Sequence, residues 1–133
     1  MTGQTRSETQ VVQTDKAATP IGPYSQAIIA GGMVYVAGEK GIDPVTGKIV
    51  PGGIAAETRQ TLTNIQHILD AAGSSFDRCV QSFVYLVDIN DFAAMNEVYA
   101  EFFLVKPPGR TTVAVSALPA GARVEITVTG AVT

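Results

Sequence analysis

Hydrophobic and polar residues change their spacing several times along this chain, and each change predicts an element. QVVQT, Gln10 to Thr14, reads as a short strand. ATPIGPYSQ, Ala18 to Gln26, carries two prolines and a glycine and is expected to be an ordered loop. AIIA and MVYVAGE flank Gly31-Gly32, a hairpin signal over Ala27 to Glu39. Asp43-Pro44 and Gly47 mark a further turn. From Ile54 to about Ala72 the period lengthens: Leu62, Ile65, Leu69 and Ala72 recur at helical steps, and Gly73 stands where a C-terminal glycine cap belongs. CVQSFVYLV, Cys79 to Val87, is a strand again. A second helix is predicted over Asp91 to Phe103, with Phe92, Met95, Tyr99 and Phe102 or Phe103 on one stripe and Asn90 or Asp91 as N-cap. Pro107-Pro108-Gly109 ends it. Thr111 to Ser116 and Arg123 to Ala131 are the last strands, joined by a turn at LPAG.

The order β, β, β, α, β, α, β, β predicts one α+β domain over residues 1–133, a mixed sheet with two helices packed on one face. The first eight residues are expected to form a flexible extension. Strand alternation then sorts side chains to two faces. Val124, Ile126 and Val128 fall opposite Arg123, Glu125, Thr127 and Thr129; Thr111, Val113 and Val115 fall opposite Arg110, Thr112, Ala114 and Ser116. The bulky set suits the helices. The other set is small, lightly polar and nearly uncharged. Two helices cannot cover both faces, so the second face is expected to meet further copies of the chain in a closed symmetric oligomer. Arg110 and Glu125 would lie at that surface.

Composition narrows the chemistry. Nine basic against 12 acidic residues give a net charge of −3, against the basic face of a dedicated nucleic-acid binder. The single cysteine, Cys79, excludes an internal disulfide and a multi-cysteine zinc site. The single histidine, His67, removes the common His-rich metal sites and argues against a histidine triad. No apolar run approaches the roughly 20 residues of a membrane helix, and the polar N-terminus lacks a signal-peptide core. The expected setting is cytoplasmic, with no membrane partner.

Two charges stand out in otherwise apolar strands. Arg110 follows Pro-Pro-Gly, and a guanidinium matches a carboxylate or phosphate with two parallel hydrogen bonds. From pattern alone, a surface arginine at a strand end is the commoner reading. Glu125, between Val124 and Ile126, can position a water or shuttle a proton in a partly dry pocket, or can form an exposed cross-strand ion pair, for instance with Arg123. Tyr24 sits in a proline-stiffened loop that could wall a pocket or plug a sheet edge.

Taken in order, IGPYSQAI, MVYVAGE, DPVTGKIV, TRQTLTNIQHIL, DINDFAAMNEVYAEFF and PPGRTTVAVSALPAGARVEI resemble the reactive-intermediate deaminase family (Rid, also called YjgF or L-PSP endoribonuclease). The resemblance runs from about Thr14 to the C-terminus. It implies a chorismate-mutase-like fold of the bacillus type, a homotrimer with the helices outside, and pockets between subunits. The implied activity is cofactor-free hydrolysis of enamines and imines such as 2-aminoacrylate to 2-oxo acids and ammonia. It implies that Arg110 holds the substrate carboxylate and that Glu125 orients water or relays protons. Tyr24, Gly38, Thr112, Ala37 and Asn96 would complete the pocket.

The chain departs from the family pattern at three places. Many relatives carry serine and glutamine where Ala37-Gly38-Glu39 stands, and Glu39 is a charge that Lys40 or distance must offset. Thr112 replaces a cysteine of some relatives. Thr127 replaces a second glutamate. The arginine pocket would equally serve a non-catalytic trimeric sensor of 2-oxo acids or other small carboxylates. A third reading, an endoribonuclease or translation inhibitor, is opposed by the net charge, the lone histidine and the absence of an aromatic-basic platform. Glu125 favours the enzyme over the sensor, because a pure carboxylate binder gains nothing from a nearby negative charge.

Overall fold

The computed structural model describes residues 8–133. The extension expected over residues 1–8 lies, apart from Glu8, outside them. The chain forms β1 (Gln10–Val12), β2 (Ala27–Ala30), β3 (Met33–Val36), β4 (Glu39–Lys40), helix α1 (Gly53–Ala72), β5 (Cys79–Leu86), helix α2 (Phe92–Phe102), β6 (Gly109–Ala114) and β7 (Val124–Ala131). The strands make a seven-stranded sheet in the order β1-β2-β3-β7-β5-β6, with β4 also pairing β7. Neighbours are antiparallel except β5 and β6, which run parallel and are connected through α2. This is the expected mixed sheet with two helices.

Local chemistry explains the elements. Gly31 and Gly32 both have positive φ, 57° and 77°, as a tight hairpin turn between β2 and β3 requires. The α1 helix closes at Gly73: its N–H bonds the Asp70 carbonyl at 3.1 Å, and the Ser74 N–H bonds that of Leu69 at 2.9 Å. Leu62, Ile65, Ile68 and Leu69 on one stripe of α1 are fully buried. They pack with Met95 and Tyr99 of α2 against Val34, Val84, Leu86, Val124, Ile126 and Val128 of the sheet. No helix among the described residues is long and apolar enough to cross a membrane.

The run MVYVAGE is not one strand. Tyr35 pairs with Thr129 and Glu39 with Ile126, so residues 36–38 oppose only residues 127–128. One residue is extra, which is a β-bulge. Thr127 Oγ1 donates to the Val36 carbonyl, and the Ala37 N–H turns away to Gln26 O at 2.9 Å. The bulge inverts the alternation. Val34 and Val36 face the helices; beyond it Glu39 does, while Lys40 turns to the open face.

Glu39 therefore lies beside Ile126, buried under α1, and not among the pocket charges where the sequence placed it. Burial pushes its carboxyl up to about 8; Lys40 pulls it down and Glu125 pushes it up, both less strongly. The native state thus holds a proton that the unfolded chain releases near 4.5. Stability should fall as pH rises through this window, by up to about 1.4 kcal/mol per pH unit. Glu39→Gln, a neutral isostere, is expected to flatten that dependence and to be the more stable protein above pH 8. Urea midpoints at pH 5, 6, 7 and 8 measure it, and parallel curves for the two proteins would refute it.

Candidate functional site

The site is built from the open face of β7 and the bulge beside it. Val124, Ile126 and Val128 are buried, so Glu125 must point to the other face. Its neighbours across the sheet are Lys40 and Tyr85. It borders a cavity of about 400 Å³ with Ile21, Tyr24, Ala37, Gly38, Lys40 and Pro119. Gly38 is there for space: a Cβ at that position would stand 2.2 Å from Glu125 Oε2.

Lys40 was not among the expected site residues. Its Nζ lies 3.7 Å from Glu125 Oε1 and donates to the Gly38 carbonyl at 3.0 Å. Only 7% of its side chain is exposed, against 21% for Glu125. The Lys40 backbone is held from below, where Asn64 Nδ2 donates to the carbonyls of Lys40 (3.3 Å) and Ile42 (2.9 Å). Arg123 does not pair with Glu125. Its Nη1 lies 3.3 Å from Glu57 Oε2, and its backbone N–H donates to Glu57 Oε1 at 2.8 Å.

Tyr24 reaches the cavity from a loop that is stapled in place. Its hydroxyl accepts from the Ile21 N–H at 3.2 Å. Gln26, buried behind it, accepts from the Thr14 N–H at 2.8 Å and donates to the carbonyls of Thr14 (3.1 Å) and Ala18 (2.9 Å). Gln26 is a positioning residue that no spacing in the sequence announced.

Arg110 belongs to a different place. It opens edge strand β6, where its register partner is the buried Ser82 and the next strand offers Val128. All three face the helices. The guanidinium lies 4.7 Å from the ring centroid of Tyr99 and 5.6 Å from that of Phe92, within reach of both π faces. It borders a cavity of about 330 Å³ with Asn96, Tyr99, Ala100, Phe103 and Pro107.

Four buried polar atoms around this arginine lack a hydrogen-bond partner: Ser82 Oγ, Asn96 Oδ1, Tyr99 OH and Thr112 Oγ1. Burial raises the Tyr99 hydroxyl, and the nearby Ser82 and Arg110 partly offset this. The hydroxyl feels both neighbours but meets strict hydrogen-bond geometry with neither. Orphaned polar atoms at a cavity carry unspent capacity for water or a ligand.

The expected residues thus fall into two groups. Tyr24, Ala37 and Gly38 gather around Glu125; Asn96 joins Arg110, with Thr112 on the same face of β6. The groups do not meet within the chain. Arg110 aligns with Val128, three residues beyond Glu125 and two strands across, on the opposite face. That is about 10 Å along the strand and about 10 Å across the sheet. The expectation that Arg110 and Glu125 share a face is therefore corrected. The register of β6 on β5 sends Arg110 and Thr112 toward the helices, and Thr111 and Val113 outward. The open face is also less polar than expected: Tyr35 (49% exposed), Phe83 (36%) and Val113 (40%) lie on it with Tyr85 and Glu125.

Other candidates are structural. Cys79 is buried and its thiol is pushed up to about 12, chiefly by burial and secondarily by Asp77, so it is no ready nucleophile. Among the described residues no three His, Cys, Asp or Glu side chains group to hold a metal ion.

The fold is an α+β domain, a mixed sheet with two helices, with one cavity beside Glu125 at the bulge and another beside Arg110 at the sheet edge. The chain belongs to the family described as endoribonuclease L-PSP, whose model matches residues 14–132. A goat relative named 2-iminobutanoate/2-iminopropanoate deaminase is 48% identical over 117 residues, covering 88% of this chain and 85% of its own length. A RutC family protein of Pyrococcus horikoshii is 53% identical over 117 residues, covering 88% and 93%. Among solved structures, RidA of an Antarctic Psychrobacter superposes with a TM-score of 0.89 at 41% identity, covering 92% of this chain and 99% of that one. Escherichia coli TdcF with bound serine gives a TM-score of 0.89 at 35% identity, covering 93% and 99%.

The close approach of Gly38 to Glu125 can be tested without knowing the ligand. In Gly38→Ala the new methyl meets the far end of a flexible side chain, so stability should change by no more than about 1 kcal/mol. The Glu125 carboxylate should nonetheless be driven from its place. A melting curve and a crystal structure of the variant check both halves; an unmoved Glu125 would contradict the geometry.

Proposed function

We propose that this protein hydrolyses 2-imino acids and their enamine tautomers to 2-oxo acids and ammonia, at sites shared between copies of the chain in a closed trimer. Arg110 comes from one copy and Glu125 from its neighbour. The observation that carries this reading is the separation of the two groups. Each protomer presents a carboxylate half-site and a guanidinium half-site that cannot meet within it. The relatives named 2-iminobutanoate/2-iminopropanoate deaminase support the reaction class, and serine bound to TdcF supports a small amino-acid-like ligand.

The chemistry follows from the groups. Arg110, seated on two aromatic rings, keeps its N–H donors for a substrate carboxylate and fixes the plane of the imine. Glu125 accepts a proton from a water as its oxygen bonds to the imine carbon. The C=N electron pair moves to nitrogen, which takes that proton back from Glu125. The carbinolamine then collapses: Glu125 carries the hydroxyl proton to nitrogen, the C–N bond breaks, ammonia leaves, and the carbonyl of the 2-oxo acid forms. The imine is already electrophilic, so a barrier reduction of about 1.4 kcal/mol for each tenfold in rate makes modest positioning effective.

The sensor reading uses the same arginine, and the assay separates the two. Imine generated in situ should disappear faster with the wild-type protein, with no acceleration by Arg110→Ala and a weakened one by Glu125→Ala. Binding of 2-oxobutyrate without acceleration would make the protein a sensor. Mixing the two impaired variants tests the shared site. Random trimers of Arg110→Ala and Glu125→Ala would restore about a quarter of the sites, because some interfaces join an intact arginine to an intact glutamate. No regain of activity after subunit exchange would sink the inter-subunit assignment.

A further inference from the structure

Lys40 is an unexpected cation in the Glu125 cavity, and its bonds are incomplete. An ammonium has three donors. One goes to the Gly38 carbonyl at 3.0 Å. Glu125 Oε1, at 3.7 Å, is within ion-pair range but beyond hydrogen-bond length. The ammonium is nearly sealed from solvent and yet borders the cavity. A desolvated cation with an unspent donor is a built contact for an acceptor on a ligand.

Beside it stands an acceptor with no donor of its own. No protein N–H or O–H donates to the Glu125 carboxylate among the described hydrogen bonds; Lys40 is its partner by charge alone. Oε2 lies against Gly38 and Oε1 toward Lys40. The wall of the cavity therefore presents a donor and an acceptor side by side, and the two charges cancel. A group that carries both an acceptor and a donor fits this pair better than a second carboxylate, which Glu125 would repel. The simplest such group is a carboxamide, its oxygen toward Lys40 Nζ and its NH₂ toward Glu125. A cavity of about 400 Å³ has room for a side chain beyond a three-carbon acid.

We propose that Lys40, with Glu125, forms a side-chain subsite that selects substrates bearing a carboxamide, that is, 2-imino acids derived from asparagine- or glutamine-like amino acids. This rests on the imine-hydrolase reading: Arg110 of a neighbouring copy takes the α-carboxylate, and Lys40 takes the distal amide oxygen. Lys40 is then a specificity residue. Charge balance agrees. Arg110 offsets the substrate carboxylate and Lys40 offsets Glu125, so a neutral side chain leaves the filled site neutral.

The test uses stable acids first and turnover second. Succinamate, succinate and butanoate are titrated calorimetrically into the wild-type protein, Lys40→Met and Lys40→Arg. Succinamate is expected to bind wild type about tenfold more tightly than butanoate, the scale of one charge-assisted hydrogen bond. Lys40→Met should collapse that ratio to within about twofold, and Lys40→Arg, which keeps a cationic donor, should retain part of it. If succinate binds wild type most tightly, the subsite is for carboxylates and the proposal fails. If Lys40→Met weakens all three acids alike, Lys40 only props the pocket and the proposal also fails. Imines generated by an amino-acid oxidase from L-glutamine and from L-methionine, an apolar side chain of similar length, supply the second arm. The glutamine-derived imine should be favoured through KM in wild type and not in Lys40→Met. If wild type accelerates neither imine, the hydrolase reading falls, while the ranking of the three acids still decides the role of Lys40.

Discussion

The strict alternation of β7 is the constraint on which the molecule rests. It lies inside the sheet, with β3 and β4 on one side and β5 on the other. Val124, Ile126 and Val128 fill the core beneath α1, and a slip of one residue would drive Glu125 into that core in their place. Burying the Glu125 carboxyl there, beside the already buried Glu39, would cost desolvation or a second held proton, which opposes that slip. Glu125 is thus aimed by its apolar neighbours, and its position on the open face follows from packing alone.

The bulge at residues 36–38 transfers that order to the neighbouring chain segment. Without it, Lys40 would follow Val34 and Val36 toward the helices. With it, Lys40 comes alongside Glu125, Gly38 lies against the carboxylate, and Glu39 takes the buried position. One inserted residue therefore sets three features of the site together. It also explains how β4 can carry consecutive charges beside β7: one pairs on the open face, and the other is held toward its protonated form in the core.

Much of this was legible in the residues. The helical period from Leu62 to Ala72, the Gly31-Gly32 hairpin and the cap at Gly73 each carry a local signal, and each element stands where its signal lies. A two-residue strand such as β4 carries none, and a bulge breaks the alternation that would reveal it. The family resemblance pointed to Arg110 and Glu125 but could not assign their faces. The alternation in β6 is equally regular either way; only its parallel register on β5, with Arg110 opposite Ser82, sends the arginine inward. The support of the Tyr24 loop by Gln26 is likewise a long-range fact, made by side-chain bonds that span up to 12 residues.

The two half-sites hold their charges by opposite means, with a common result. Arg110 lies against the π faces of Tyr99 and Phe92, which attract the cation without occupying its N–H groups. Glu125 is attracted by a lysine too distant to hydrogen-bond it, so its lone pairs remain available. Around Arg110 the orphaned oxygens of Ser82, Asn96, Tyr99 and Thr112 add further unspent capacity. A protein stabilised for its own sake would close such bonds, since each buried unpaired group costs about 1–3 kcal/mol. Here four of the five such side-chain atoms among the described residues gather around Arg110, and the fifth, Thr58 Oγ1, lies on α1. The same chain exposes Tyr35, Phe83 and Val113 on the face that carries Glu125. Covering that face with another copy would remove apolar surface from water, the largest favourable term in association. In the proposed trimer that gain would also bring a foreign guanidinium to each carboxylate, so that assembly and completion of the site are one event.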